Sequence, residues 1–410
     1  MKILFVCHRF PFPPSRGGKI RPFNIIRHLS RRHEVTVASL ARSADEAEDG
    51  KGLGEHCHKY LVETVTPVAQ GLRTVARLAT PMPSSMGYFY SPRLARRIRA
   101  ELRESDFDLI FVHCSSVAQY VSNVRGVPKI LDFGDMDSQK WLGYSRFFEF
   151  PRSLGYWLEG TKLQREEIGL AKAFDFCTCT TRTELETLDG YGTDARSGWF
   201  PNGVDLEYFA PDNQPYEPSA LCFVGRMDYF PNQQCMREFC ALTWPLIRAV
   251  RPEATLEIVG ASPSREIEKL AQLPGVKVTG TVPDVRPYVR RAAVNVATLR
   301  IARGTQNKIL ESLAMGVPVV ASEVAAGGVD VVPGEHLLTA DTPEKIADQV
   351  LRLLNDPAER HRLSRAGRSR MESNHSWDAS LRKLDGLIEQ CLFPHPAAGV
   401  ETVHGTTPAP

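Results

Sequence analysis

With 410 residues, 42% of them hydrophobic and 24% charged, and a formal net charge of +2, the chain is too long for one ordinary domain and too nearly neutral for a nucleic-acid carrier. No run of about 18 apolar residues occurs, which excludes a helix able to span a bilayer. The nine cysteines are scattered without a C-x-x-C pair, so they read as buried thiols of a reducing cytosol rather than as a disulfide frame or a zinc site.

In chain order, "KILFVC" at 2–7 has too short an apolar core for a signal peptide and reads as a strand. The loop after it is too long and proline-rich for the tight G-x-G-x-x-G turn of a nicotinamide enzyme. It offers instead Arg16, Gly17, Gly18 and Lys19 at the start of a helix over 19–30. Paired glycines let backbone N–H groups approach a ligand, and a helix N-terminus favours an anion; a loop that merely turns the chain is the competing reading. This helix ends in a basic cluster, Arg27 to Arg32. Strands "EVTVASL" and "KYLVETV" follow. From Arg73 to Arg103 seven arginines meet one acid, Glu101, and the helix over 92–104 sets Leu94, Ile98 and Leu102 on one face. Solvated helix faces are the plain reading of both basic clusters. Attraction to anionic lipid headgroups or to a phosphorylated acceptor is the sharper one.

Strand "DLIFVHC" places His113 at its carboxyl end, where an imidazole can hydrogen-bond a hydroxyl or assist a developing charge; a buried structural histidine is the alternative. A short helix over 116–123 and the strand "PKILDF" lead to "DFGDMDS". Asp135-Met136-Asp137 could bracket a divalent cation, but no metal is expected, and capping or acceptor contact is the preferred reading for Asp132, Asp135 and Asp137. A helix over 155–172 and the strand "FDFCTCT" complete the first half. "WFPNGVDLEYFAPDNQPYEPSA" then breaks the alternation and reads as a linker.

The alternation restarts with strands "ALCFVG", "ATLEIVG", "VKVTGTV", "VNVATL" and "VPVVAS" and with helices over 232–249, 264–272, 285–291 and 306–315. Arg226 follows Gly225 at a strand end, where its guanidinium can grip phosphate oxygens in a fork; a structural pair with Asp228 competes. Arg303, Gly304, Thr305 and Gln306 form a loop feeding the next helix. Lys308 in its first turn adds positive charge at the positive helix end, which is unfavourable unless an anion sits there. Glu311 lies on the same face, three residues on, and a carboxylate there can accept two bonds from a vicinal diol such as ribose. A plain Lys–Glu surface pair is the bland alternative. The remainder is helical to 392, and 393–410 reads as a disordered tail.

Apolar strands alternating with helices predict parallel sheets covered on both faces. The expected architecture is α/β: two doubly wound, Rossmann-like domains facing across a cleft, at 1–200 and 201–375, then a C-terminal helix at 376–392.

"VGRM", "KILESLAMGVPVVAS" and "PNGVDLEYF" resemble the retaining glycosyltransferases of family 4, which have the GT-B fold, and among them bacterial transferases of exopolysaccharide assembly. The resemblance covers nearly the whole chain. It implies a nucleotide-sugar donor domain at the C-terminal side and an acceptor domain at the N-terminal side. It gives Glu311 the ribose, as second glutamate of an E-x7-E motif, and places Arg226 on the diphosphate and His113 near the transferred sugar. Two positions depart from the family pattern. The first glutamate falls on Arg303, and the lysine usually found five residues after Arg226 falls on Pro231, for which Lys308 is the candidate substitute. No cofactor is expected beyond the donor substrate.

The resulting expectation is a cytoplasmic enzyme, associated with the inner face of the cell membrane, that moves a sugar from a nucleotide diphosphate donor to a saccharide or lipid-linked acceptor. A nucleotide-sugar epimerase and a catalytically lapsed sugar-nucleotide binder are the alternatives.

Overall fold

The computed structural model describes residues 1–14, 17–212 and 214–393. Arg16 lies outside the described residues, as does 394–410 of the expected tail.

Seven parallel strands form the first sheet: β1 Lys2–Cys7, β2 Glu34–Ala41, β3 Lys59–Thr64, β4 Leu109–His113, β5 Lys129–Gly134, β6 Phe176–Cys179 and β7 Ser197–Trp199, in spatial order β3-β2-β1-β4-β5-β6-β7. Six parallel strands form the second: β8 Glu217–Val224, β9 Thr255–Val259, β10 Val276–Gly280, β11 Ala292–Ala297, β12 Val319–Ala321 and β13 Leu338–Thr339, in order β10-β9-β8-β11-β12-β13. Strand side chains point alternately to opposite faces, and both faces here are buried. Leu4 and Val6 pack in one core with Ile110 and Val112, while Ile3 and Phe5 pack in another, Phe5 stacking on Phe111 with ring centroids 5.2 Å apart. That is why these segments read as unbroken apolar runs.

Strand order reverses between β1 and β4 and again between β8 and β11. Loops diverge at such switch points and open a crevice beyond the carboxyl ends of the strands. Register then decides which residues meet there: Cys7 lies opposite His113, and His113 opposite Asp132.

Several elements differ from the sequence expectation. The helix expected over 116–123 is a single turn, Ser115–Ala118. The helix expected over 232–249 is interrupted by a wider π turn at Phe239–Thr243, next to Pro245, which has no N–H to donate to the ladder. Helix Pro67–Leu78 was not expected at all. The last helix, Trp377–Leu392, returns to the first sheet: Trp377, Leu381, Leu384 and Ile388 share a core with Ile3, Phe5, Ile25 and Phe111. Its path is pinned where the chain crosses between lobes, the Val204 N–H donating to the His375 carbonyl at 2.7 Å.

Candidate functional site

On the N-terminal lobe the carboxyl ends of β1, β4 and β5 assemble a buried polar cluster. Asp132 is fully buried. It takes both ends of the Arg21 guanidinium (Nε to Oδ2 2.9 Å, Nη2 to Oδ1 2.9 Å), the Thr178 hydroxyl at 2.9 Å and the His113 Nδ1 at 2.7 Å. Burial alone would raise this carboxyl. The Arg21 charge and the His113 hydrogen bond overcome that and hold it well below the usual carboxylate range. Arg21 lies on the core-facing stripe Arg21–Ile25–Leu29 of helix Gly17–Leu29 and also donates to the Phe200 carbonyl at 3.1 Å. A charge on such a stripe must be paired, so the residue was legible in the sequence but overlooked.

This corrects the reading of Asp132 as an acceptor contact, because its oxygens are already engaged. The same carboxylate orients the His113 ring through Nδ1, which leaves Nε2 as the outward nitrogen. Directly after it, Cys114 adopts φ +81°, a conformation costing a β-carbon-bearing residue about 1–3 kcal/mol and concentrated at functional sites. His8, just past β1, lies with its ring 5.6 Å from that of His113. Burial drives its basicity well below the usual imidazole range, so it faces the cleft neutral.

Of the other N-terminal candidates, Gly17 and Gly18 do open a helix, and Gly17 faces Asn307 of the opposite lobe. Lys19, expected at the helix start in an anion-binding loop, is buried and ion-paired with Glu46 at 2.6 Å. Asp135 and Asp137 diverge. Asp135 accepts from the Thr180 hydroxyl at 2.9 Å, whereas Asp137 starts helix Asp137–Ser145 and burial raises its carboxyl.

On the C-terminal lobe, helix Asn307–Ala314 follows β11. The Lys308 ammonium donates to Asn232 Oδ1 at 2.7 Å and sits 4.4 Å from the centre of the Phe223 ring. Burial lowers its pKa to about 8, against the pull of Cys235 and Glu311. The side chain of Glu311 makes no hydrogen bond or ion pair within hydrogen-bonding reach among the described residues. Burial raises it to about 7, against the attraction of Lys308. Half-buried and without a protein partner among the described residues, this carboxylate is open to a ligand. Gly225 packs on Asn232, where a β-carbon would come 2.6 Å from Nδ2. Arg226 is exposed and paired with Asp228, Nε to Oδ1 3.0 Å; the competing structural pair is therefore what forms, and an incoming diphosphate would have to share it. The Thr305 hydroxyl is buried with no hydrogen-bond partner among the described residues, and Gln306 bonds back to the Arg303 carbonyl at 3.2 Å.

Between the lobes the sequence reading missed Glu184. Thr181-x-x-Glu184 reads as a helix-capping box, and Thr181 does accept from the Glu184 N–H at 3.1 Å. The Glu184 carboxylate, however, accepts from the Met136 N–H at 2.9 Å and lies 3.7 Å from the Arg303 guanidinium across the cleft. Burial and the neighbouring Asp135 raise it to about 7. Gly304, at φ +60°, lies so close to Asp135 that a β-carbon would fall 1.9 Å from Oδ1. Glycine is required there twice over, by backbone conformation and by the approach of the opposite lobe. Arg303, which stands where the family pattern has an acid, is thus faced by Glu184 from the other wall, with Asp135 against the neighbouring Gly304.

Comparison with known proteins bears on the fold and the family. The family profile "Glycosyltransferase Family 4" matches residues 16–208 and "Glycosyl transferases group 1" matches residues 218–356. A GDP-mannose-dependent monoacylated alpha-(1-6)-phosphatidylinositol monomannoside mannosyltransferase of Corynebacterium glutamicum is 23% identical over 57% of this chain and 66% of its own length. The chain thus spans just under two thirds of that relative. The GDP-mannose-dependent alpha-(1-6)-phosphatidylinositol monomannoside mannosyltransferase of Mycobacterium tuberculosis is 28% identical over 92% of this chain and 96% of its own. The structure of HepE from Anabaena in complex with UDP-glucose superposes with a TM-score of 0.66 at 16% identity, covering 95% of this chain and all of that one (100%). The paired parallel sheets are accordingly the GT-B fold, and the chain belongs to the family 4-type glycosyltransferases.

Proposed function

We propose that the protein transfers a sugar from a nucleotide diphosphate sugar to a saccharide or lipid-linked acceptor, with retention of anomeric configuration, as a step of bacterial exopolysaccharide synthesis at the inner face of the cell membrane. The observation that carries this reading is the Glu311 carboxylate, half-buried and without a protein partner among the described residues, one turn from Lys308 in helix Asn307–Ala314. A carboxylate in that state accepts both hydroxyls of a ribose, and each bond to an ionised group contributes about 1.5–3 kcal/mol. Lys308, the amides at the helix start and Arg226 then stabilise charge growing on the departing diphosphate. His113, held by Asp132, presents Nε2 toward the sugar. Retention and the exopolysaccharide role rest on the family resemblance, and the cytosolic side on the nine unpaired thiols.

The two mannosyltransferase relatives are GDP-mannose-dependent by name, and HepE was solved with UDP-glucose. A thermal-shift panel of UDP, GDP, ADP and their sugars therefore tests the reading. One nucleoside diphosphate at a hundredfold excess over its Kd should stabilise the protein by about 2.7 kcal/mol. A panel in which no compound raises the melting temperature defeats the proposal.

A lapsed sugar-nucleotide binder is the second reading, favoured by Arg303 in place of the family's acid. Binding without transfer to any extract-derived acceptor would select it. Against it, Glu184 and Asp135 bring carboxylates to the same loop from the opposite wall.

A further inference from the structure

Helix Pro67–Leu78 is built inside out. Its polar side faces the protein: the buried Gln70 amide donates to the Tyr88 carbonyl at 3.2 Å, Arg73 to the Tyr90 carbonyl at 2.9 Å, and Arg77 to Gln119 Oε1 at 3.2 Å. Its apolar side faces outward, with Val68 74%, Leu72 68%, Val75 62% and Leu78 62% exposed. An amphipathic surface helix normally does the reverse. The apolar face continues onto a neighbour, because Lys162 of helix Arg152–Ala173 donates to the Leu78 carbonyl at 2.8 Å and Glu159 accepts from the Ser85 N–H at 2.8 Å. Within a turn or two of those anchors, Leu154, Trp157 and Leu158 are exposed on that helix, and Phe150 stands just before it. So many exposed apolar side chains on two segments anchored to each other mark a contact surface.

We propose that this face docks on an anionic phospholipid surface. Charge argues for lipid. The sequence from Thr64 to Ala100 contains no acid; Arg152 is exposed at the start of the helix that carries Leu154 and Trp157, and Arg93, Arg96 and Arg99 are exposed on helix Pro92–Glu104, which follows the Tyr90 carbonyl that Arg73 holds. Two copies meeting through this face would bring basic rims together, which is repulsive, whereas apolar side chains inserted beneath anionic headgroups satisfy both features. The arginines expected from the sequence to meet lipid are divided by the fold: Arg73 and Arg77 turn inward, and the apolar side chains between them provide the outward face.

Position links this surface to the cleft. The inner side of the helix contributes Gln70 to a small cavity shared with His8, Arg9 and Phe89, and the His8 ring neighbours that of His113. Resting on the glycosyltransferase reading, the same face would deliver a lipid-linked acceptor from the bilayer to His113.

The test is sedimentation with phosphatidylcholine vesicles with and without phosphatidylglycerol, at low salt, using the full chain and a Leu72→Glu, Val75→Glu double variant. Both side chains are exposed, so the variant should fold and keep its nucleotide-induced thermal shift. Wild type should bind the phosphatidylglycerol vesicles, and the variant at least about tenfold more weakly. Wild type left in the supernatant, or equal sedimentation of the two proteins, overturns the proposal. Equal binding to pure phosphatidylcholine overturns its charge argument. A wild-type dimer in light scattering that the variant dissociates would assign the face to a second copy instead. Vesicle binding requires no donor or acceptor, so its failure is distinct from failure of the transferase reading.

Discussion

Asp132 on one wall of the cleft and Glu311 on the other are both carboxylates near the carboxyl ends of parallel strands, in opposite electrostatic states. Asp132 accepts from Arg21, His113 and Thr178 and is driven below the ordinary carboxylate range. Glu311 has no partner within hydrogen-bonding reach among the described residues and is driven up to about 7. A saturated buried carboxylate is part of the scaffold, and here it fixes the orientation of a histidine. An unsatisfied one is stabilised by what binds to it. On the proposed reading, catalytic geometry and ligand affinity are carried by different walls, and mutations should separate them.

The largest effect is expected from breaking the scaffold. Asp132→Ala leaves the Arg21 charge buried and unpaired, which costs about 3–5 kcal/mol, read as a lowered midpoint in urea unfolding. Glu311→Ala should lose nucleoside diphosphate affinity roughly a hundredfold in calorimetry, since two bonds to an ionised acceptor go with it, without loss of stability. Were Glu311→Ala as destabilising as Asp132→Ala, the contrast between the walls would fail.

A pH series sharpens the same comparison. Glu311 must be ionised and Lys308 charged to hold a ribosyl diphosphate, so affinity should peak between about pH 7 and pH 8. Glu311→Gln should remove the acidic limb and keep the basic one. The stability linkage has the opposite sign. With its pKa raised in the folded state, Glu311 keeps its proton longer than in the unfolded chain, so its contribution diminishes as pH rises toward 7. Glu311→Gln should therefore melt no lower than wild type at pH 8. A flat affinity profile across this range would refute the assignment of both groups.

The smallest effect belongs to Arg226. Its exposed pair with Asp228 contributes less than about 1 kcal/mol to stability, and Arg226→Ala should change the unfolding midpoint within error while weakening diphosphate binding roughly fivefold. Unchanged binding would leave Lys308 and the helix amides as the anion site.

Local pattern was enough for the alternation of apolar strands and helices, the break near 200–216, and the Lys308–Glu311 face, because period, turn chemistry and helical spacing are properties of neighbouring residues. Which of these side chains would be left with partners was not. Asp132 read as available until the register of β4 and β5 set it beside His113 and the first helix brought Arg21. Glu184, in a Thr-x-x-Glu pattern that only suggests a helix cap, gained its place in the cleft when the lobes met at Gly304. Helix Pro67–Leu78 carries a plain amphipathic pattern, whose orientation was decided by the Tyr88 and Tyr90 carbonyls that its polar side must satisfy. Sequence determined the type of the strands and of most long helices, and the chemistry each could offer. Tertiary structure decided which charges were neutralised and which apolar face remained uncovered, because both depend on contacts between residues far apart in the chain.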